Sequence, residues 1–369
     1  MANIVTKTIR VQPEAPDDQL LMPAAQALRE GRLVAFPTET VYGLGANALD
    51  PAAVASIFAV KGRPADNPLI VHIASVNDLA LLVSSVPPLA IKLLDAFSPG
   101  PLTLVLPKSF VVPDLVTAGL ATVAVRIPAH PVARRLIELA GVPVAAPSAN
   151  RSGRPSPTQS WHVEEDLNGR IPFIIDAGSC DVGVESTVVD VTGSVPVILR
   201  PGAVTAAEIK AIAGSVIEAG RSVADGQTPR SPGMKYRHYA PKAIVLIAEG
   251  ISVQDRADYA GRLAAPLQDK GLILGFLGCR PFLDFLRLSD QAIIISTGEQ
   301  PDAHSASRIL FDALRRLDQA GVSVIIAEAL PNQGMGQAYM NRLRKAASAH
   351  GQNPDNGQPG IPDGGDYHA

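Results

Sequence analysis

The chain has 369 residues, 47% of them hydrophobic and 18% charged, with a formal net charge of −3 and two cysteines. That balance excludes an intrinsically disordered chain, and it excludes nucleic-acid or membrane-surface binding driven by bulk charge, so any polyanion needs a local basic patch. Cys180 and Cys279 are far apart and make neither a disulfide framework nor a zinc site alone, which points to a reducing cytosol.

At this length two domains plus tails are expected. The N-terminal MANIVTKTIRVQPE lacks the apolar core of a signal peptide, and no apolar run approaches the ~20 residues of a membrane span, so a cytosolic protein with no membrane segment is expected. Residues 3–11 alternate as an opening strand, and Asp17 or Asp18 caps a helix that runs to Gly31. An apolar strand at 33–36 breaks at Pro37 into Thr38-Glu39-Thr40, followed by Tyr42-Gly43-Leu44-Gly45, read as tight-turn glycines. Asp50 and Pro51 start a helix over 51–60, which ends at Lys61-Gly62-Arg63-Pro64 before a strand at 69–73. Helices follow near 76–82 and 88–97, strands at 102–106 and 122–127, a helix at 131–140, and a strand at 142–146 that runs into Pro147-Ser148-Ala149-Asn150. Short strands at 173–176, 187–191 and 197–200 precede a helix that Thr205 caps. Residues 220–242 lose all pattern and read as a linker. Its Tyr236, Arg237, His238 and Tyr239 make it a candidate lid over a site. From 243 to 349, strands alternate with helices, which predicts a small parallel sheet, and 350–369 reads as a disordered tail.

The chemistry lies in the polar loops. Lys61, Arg63, Arg126, Arg151, Arg154 and Arg200 stand in loops or at strand ends, and Ser148 and Asn150 directly follow a strand, the places where α/β sheets bind ligands. Hydroxyls, an amide and several arginines suit phosphate oxygens. His72 alternates with Ile70 and Leu69 along its strand and reads either as a buried, hydrogen-bonded histidine or as a site residue. No paired carboxylates and no Ser-His-Asp order stand out, so the site reads as one that positions substrates and neutralises charge, as phosphoryl and nucleotidyl transfer require. Gly43 to Ala48 fits the loose G-x-G-x-x-A pattern, but a polar segment separates its strand from the glycines and the acid about 20 residues on, Asp66, lies in a basic loop. No P-loop pattern occurs.

PTETVYGLG (37–45), KGRPADNPLIVH (61–72), Lys61-x-Arg63, Ser148-x-Asn150, GVESTVVD (183–190), LRPGAV (199–204), SPGMKYRHYAP (231–241) and MNRLRKAA (340–347) together resemble the threonylcarbamoyl-AMP synthase family in its long form. The resemblance covers nearly the whole chain. It implies an open, twisted α/β catalytic domain (1–219) with a concave basic cavity, a linker (220–242), and a smaller Rossmann-like parallel α/β domain (243–349). The implied reaction condenses L-threonine, bicarbonate and ATP into threonylcarbamoyl-AMP and pyrophosphate, for N6-threonylcarbamoyladenosine in tRNA, with a downstream threonylcarbamoyl-transfer complex as partner. By motif match Thr40, His72, Arg126, Ala146 and Ser186 surround threonine. Lys61, Arg63, Asn67, Thr122, Ser148, Asn150, Ser156, Arg200 and His238 hold the nucleotide, with Mg2+ on its phosphates, and Lys61, Arg63, Ser148 and Asn150 form the catalytic set. Two other readings are weighed against it. A carbamoyl-adenylate chemistry like that of hydrogenase maturation proteins lacks the cysteines it needs here. A non-catalytic module binding tRNA or double-stranded RNA would show salt-dependent RNA binding without ATP consumption.

Overall fold

The computed structural model describes residues 4–219 and 239–348. Among these, eleven strands form one mixed sheet, in the order Lys7–Arg10, Phe173–Asp176, Val34–Phe36, Gly43–Asn47, Val144–Ala145, Ile70–His72, Thr122–Arg126, Leu102–Pro107, Thr187–Asp190, Val197–Arg200 and Ile217–Glu218. The order matters more than the count. It sets the segments that end in Ala145, His72 and Arg126 side by side, with Gly43 on the neighbouring strand, so residues far apart in sequence share one patch of sheet. The patch is tied tightly: the Ala146 N–H donates to the Ile70 carbonyl at 2.9 Å and the Leu44 N–H to the Pro147 carbonyl at 2.8 Å.

Local chemistry sets the helix ends. Asp50 accepts from the Ala52 N–H, Pro51 opens the helix Pro51–Lys61, and Gly62 closes it at φ 62°, a left-handed conformation that costs glycine little. Thr205 and Glu208 form a reciprocal cap on Ala206–Ala213. The glycines at 43 and 45, read as turn residues, lie instead in the strand Gly43–Asn47, which pairs antiparallel with Val34–Phe36. The reason is space rather than backbone freedom. A Cβ at Gly45 would sit 2.7 Å from Val144 and 2.8 Å from the Phe36 ring, so only glycine lets the strand pass under that ring. The helix Ser160–Leu167 carried no clear apolar period in the sequence, and its buried face includes His162 and Asp166.

In the second unit four parallel strands are ordered Ile244–Ala248, Val324–Glu328, Leu274–Gly278, Ile293–Ser296, as the alternating pattern predicts. Helices Val253–Gln268 and Arg280–Asp284 cover one face, and Ala303–Gln319 and Met335–Ser348 the other. The core beneath the last two is not confined to its own unit: Val41 and Val184 of the large-sheet unit, and Tyr239, pack in the same cluster as Leu310, Phe311, Leu314 and Tyr339. No described helix is long and apolar enough to cross a membrane.

Candidate active site

A cavity open to solvent lies over the patch where the strands converge, with about 680 Å³ of empty space when the solvent at its mouth is counted. Thr38, Thr40, His72, Arg126, Ala146 and Ser186 line it, as do Arg63, Ser148, Asn150, Arg154, Ser156, Glu185, Arg200 and Tyr239. Each arises from local structure. His72 and Arg126 end parallel neighbouring strands in register with each other. Arg200 ends the strand Val197–Arg200 and donates from Nη2 to Ser186 Oγ (3.1 Å) and to the Ser186 carbonyl (2.9 Å). Ser186 Oγ also lies 2.7 Å from Thr103 Oγ1. In the loop after Val144–Ala145, Ser148 Oγ donates to Asn150 Oδ1 at 2.6 Å, while Asn150 Nδ2 donates to the carbonyls of Arg151 and Arg154 at 2.8 Å each.

Arginine dominates the electrostatics. Arg63, Arg126, Arg154 and Arg200 all line the cavity, against a single lining carboxylate among the described residues, Glu185. Burial pushes the Glu185 carboxyl up, but the guanidinium groups of Arg342 and Arg200 and the Ser156 hydroxyl together hold it down to about 2, so it stays ionised. Burial, with the Arg126 charge beside it, pushes His72 down to about 3. His72 is therefore a neutral hydrogen-bonding group, not an acid. An NMR titration of its ring should find no protonation between about pH 5 and 8, where an ordinary histidine titrates. A transition near the ordinary value of 6.5 would contradict this. Since the folded value lies below the unfolded one, His72 contributes stability that is present above 6.5 and lost as pH falls toward 3.

Lys61 is placed beneath the cavity rather than on its wall. Its side chain is buried, and Nζ donates to the Ser148 carbonyl, to the Asn150 carbonyl at 2.5 Å and to Asn150 Oδ1 at 3.4 Å. Burial and the nearby Arg63 push its pKa well down, yet three oxygen acceptors call for three N–H donors, which only the ammonium supplies. We therefore take Lys61 as charged. Asn67 is fully buried behind Arg63, whose Nη2 donates to its carbonyl at 3.3 Å; its side-chain amide has no protein partner among the described residues. Thr122 starts the strand that Arg126 ends and does not line the cavity. Tyr236, Arg237 and His238 lie outside the described residues, whereas Tyr239 lines the cavity. Arg151 points its backbone N–H at Asp166 and its side chain is exposed.

Sequence reasoning passed over four charged residues. Glu39 pairs with Arg126, with Nη2 and Oε1 2.7 Å apart. Glu185 accepts from Ser156 Oγ at 2.5 Å and from Arg342 Nε at 3.0 Å. Arg342 and Arg315 come from the second unit and are the two bulkiest fully buried side chains among the described residues. Arg315 donates to the Pro155 carbonyl at 2.6 Å and to Asp166 Oδ2 at 2.7 Å; Asp166 also pairs with Arg154. The two acids left a faint trace, each a lone carboxylate beside a hydroxyl at the edge of an apolar run.

Comparison with known proteins places this geometry. A family model described as "Telomere recombination" matches residues 26–202, and one described as "Threonylcarbamoyl-AMP synthase, C-terminal domain" matches residues 204–348. A threonylcarbamoyl-AMP synthase of Pyrococcus abyssi is 51% identical over 328 residues, covering 88% of this chain and 93% of the relative. One from Bacillus subtilis is 46% identical over 333 residues, covering 90% and 94%. A crystal structure of Pyrococcus abyssi Sua5 complexed with L-threonine aligns with a TM-score of 0.86 at 48% identity, covering 93% of this chain and 98% of that one.

Proposed function

Because this chain belongs to the threonylcarbamoyl-AMP synthase family, we propose that L-threonine occupies the cavity end walled by Thr40, His72, Arg126, Ala146 and Ser186, and ATP the end walled by Arg63, Ser148, Asn150, Ser156 and Arg200. The chain condenses L-threonine, bicarbonate and ATP to threonylcarbamoyl-AMP and pyrophosphate, the first product serving N6-threonylcarbamoyladenosine formation in tRNA. The observation that supports this reading is that a single cavity is lined by both donor sets, the hydroxyls, histidine and Arg126 on the one hand and the serine–asparagine loop with further arginines on the other.

The amine of threonine attacks the carbonate carbon, the new C–N bond gives a carbamate, and water leaves. A carbamate oxygen then bonds to the α-phosphorus while the bond to pyrophosphate breaks. The step gathers a carboxylate, a carbamate and a triphosphate, so mutual repulsion is the obstacle. Arginines fixed by strand ends before the substrates arrive oppose it, and holding three reactants together removes the entropic part of the barrier. Among the described residues no group of three or more His, Cys, Asp or Glu side chains could hold a metal ion. Mg2+ belongs to this proposal as part of the Mg–ATP substrate, held by the phosphates and neutralising their charge. A threonylcarbamoyl-transfer complex as acceptor, contact with tRNA, and a cytosolic location belong to the same proposal.

The test is pyrophosphate release from Mg–ATP and bicarbonate, with and without L-threonine. Threonine-dependent release, weaker with serine and abolished by stripping bicarbonate, is the expected result. Release that ignores threonine would require another acceptor, and salt-dependent tRNA binding with no release would favour an RNA-binding module.

A further inference from the structure

Within Thr38-Glu39-Thr40 the two threonines line the cavity but the acid between them does not. Both Glu39 oxygens are shut off from solvent, and the carboxylate pairs with Arg126 away from the cavity lining, with Oε1 2.7 Å from Nη2. Arg126 is held on two further sides: Nη1 donates to Thr40 Oγ1 at 2.8 Å and Nε to the Gly100 carbonyl at 3.2 Å. A guanidinium has five N–H groups; Nε and one N–H of Nη1 donate as above and Nη2 is closed off against Glu39, so one N–H on Nη1 remains for a substrate carboxylate. Burial pushes the Glu39 carboxyl up, but Arg126 together with the backbone N–H groups of Ala129 and Glu39 more than offsets it, leaving Glu39 ionised at neutral pH. At Arg126 the charge is therefore balanced: the guanidinium is paired with Glu39, and the neighbouring His72 is neutral.

We propose that Glu39 is a specificity-determining residue that cancels the Arg126 charge from outside the cavity lining, making the site at Arg126 a neutral receptor for a zwitterion and denying it to free oxyanions. The inference rests on threonine lying at Arg126, as proposed above. A zwitterion has no net charge. An unopposed guanidinium would attract its carboxylate and repel its ammonium, with partial cancellation, whereas a dianion would gain the whole Coulomb term, which is large where water is excluded. The hazard is built into the reaction, because pyrophosphate is released inside this same cavity. Glu39 keeps that anion, and inorganic phosphate or sulfate, from lodging where the next threonine must bind.

The test uses the full chain and its Glu39→Gln variant, which keeps the shape and removes the charge, with sulfate as the probe. Threonine-dependent turnover is followed at saturating Mg–ATP, and sulfate and threonine binding are measured separately by calorimetry. In the variant, sulfate should compete with L-threonine with an inhibition constant at least tenfold lower than in the parent, while its effect against ATP stays the same. A folded variant with the parent's sulfate constant overturns the proposal. If Glu39→Gln does not fold, Glu39→Asp replaces it, because its shorter carboxylate draws back from Arg126 and the constant should fall part of the way; an unchanged constant in folded Glu39→Asp overturns the idea equally. Absence of threonine-dependent turnover in the parent itself would instead refute the functional reading, and calorimetric competition between sulfate and threonine would still decide the role of Glu39.

Discussion

Replacing Arg342 by methionine should destabilise the chain by about 3–5 kcal/mol, because it strips one partner from a fully buried ion pair and strands the other. Arg342 is wholly buried, its Nε donates to Glu185 Oε2 at 3.0 Å, and its other nitrogens donate to the carbonyls of Glu185 (3.2 Å) and Pro201 (2.5 Å). Methionine fills much of the volume but satisfies none of these acceptors. Activity should fall as well, by about 100-fold in kcat/KM, the cost of misplacing binding groups by about an ångström. The path is short: Glu185 is the acceptor of Ser156 Oγ, and Ser186 next to it is the acceptor of Arg200. The pH dependence has a definite sign. Glu185 is held down to about 2 in the folded chain against an ordinary 4.5, so its contribution is complete above 4.5 and is lost as pH falls toward 2. Denaturant midpoints of parent and variant should therefore differ most at neutral pH and converge in acid. Removing both charges with Arg342→Met and Glu185→Leu should restore most of the stability and none of the activity. A single variant with the parent's midpoint at neutral pH would show that the pair contributes nothing.

Lys61→Met should lower kcat/KM at least ~100-fold while the strands around it keep their fold, a misplacement cost of the same kind. The Lys61 ammonium is surrounded by the Ser148 carbonyl, the Asn150 carbonyl and Asn150 Oδ1. Each hydrogen bond from a charged donor contributes about 1.5–3 kcal/mol, and each buried acceptor left unpaired costs about 1–3 kcal/mol, sums that a three-residue loop does not absorb without moving. What moves is Ser148 and Asn150, both on the cavity wall. Arginine should not rescue the variant, since a planar fork does not fit a three-sided cage that suits a tetrahedral ammonium. Circular dichroism with steady-state kinetics decides the matter. A folded Lys61→Met with the parent's kcat/KM would mean that the cage is ornamental to catalysis.

Much of the architecture was legible because its signals are local. Asp50-Pro51 and Thr205 announce helix starts by chemistry that acts within four residues, and the alternation from 243 onward yields a parallel sheet because each strand is paid out by its own helix. Gly43 and Gly45 misled for an instructive reason. Glycine signals freedom in a turn, but here it signals crowding: the Phe36 ring and Val144 lie where a Cβ would go, and that crowding exists only once three strands are assembled. Ser160–Leu167 escaped notice because its buried face carries His162 and Asp166, polar groups satisfied by Asp312 and Arg315 of the second unit rather than by an apolar core.

The sequence by itself determined which groups line the cavity: hydroxyls, amide, histidine and arginines, each set at a strand end or in a loop, where local geometry dictates its place. Only the tertiary structure decided the electrical state of those groups. Glu39 meets Arg126 from a loop distant in sequence, and Glu185 meets Arg342 of the second unit across 157 residues. Charge acts through space and is amplified where water is excluded, so the partners that set it follow packing rather than chain order.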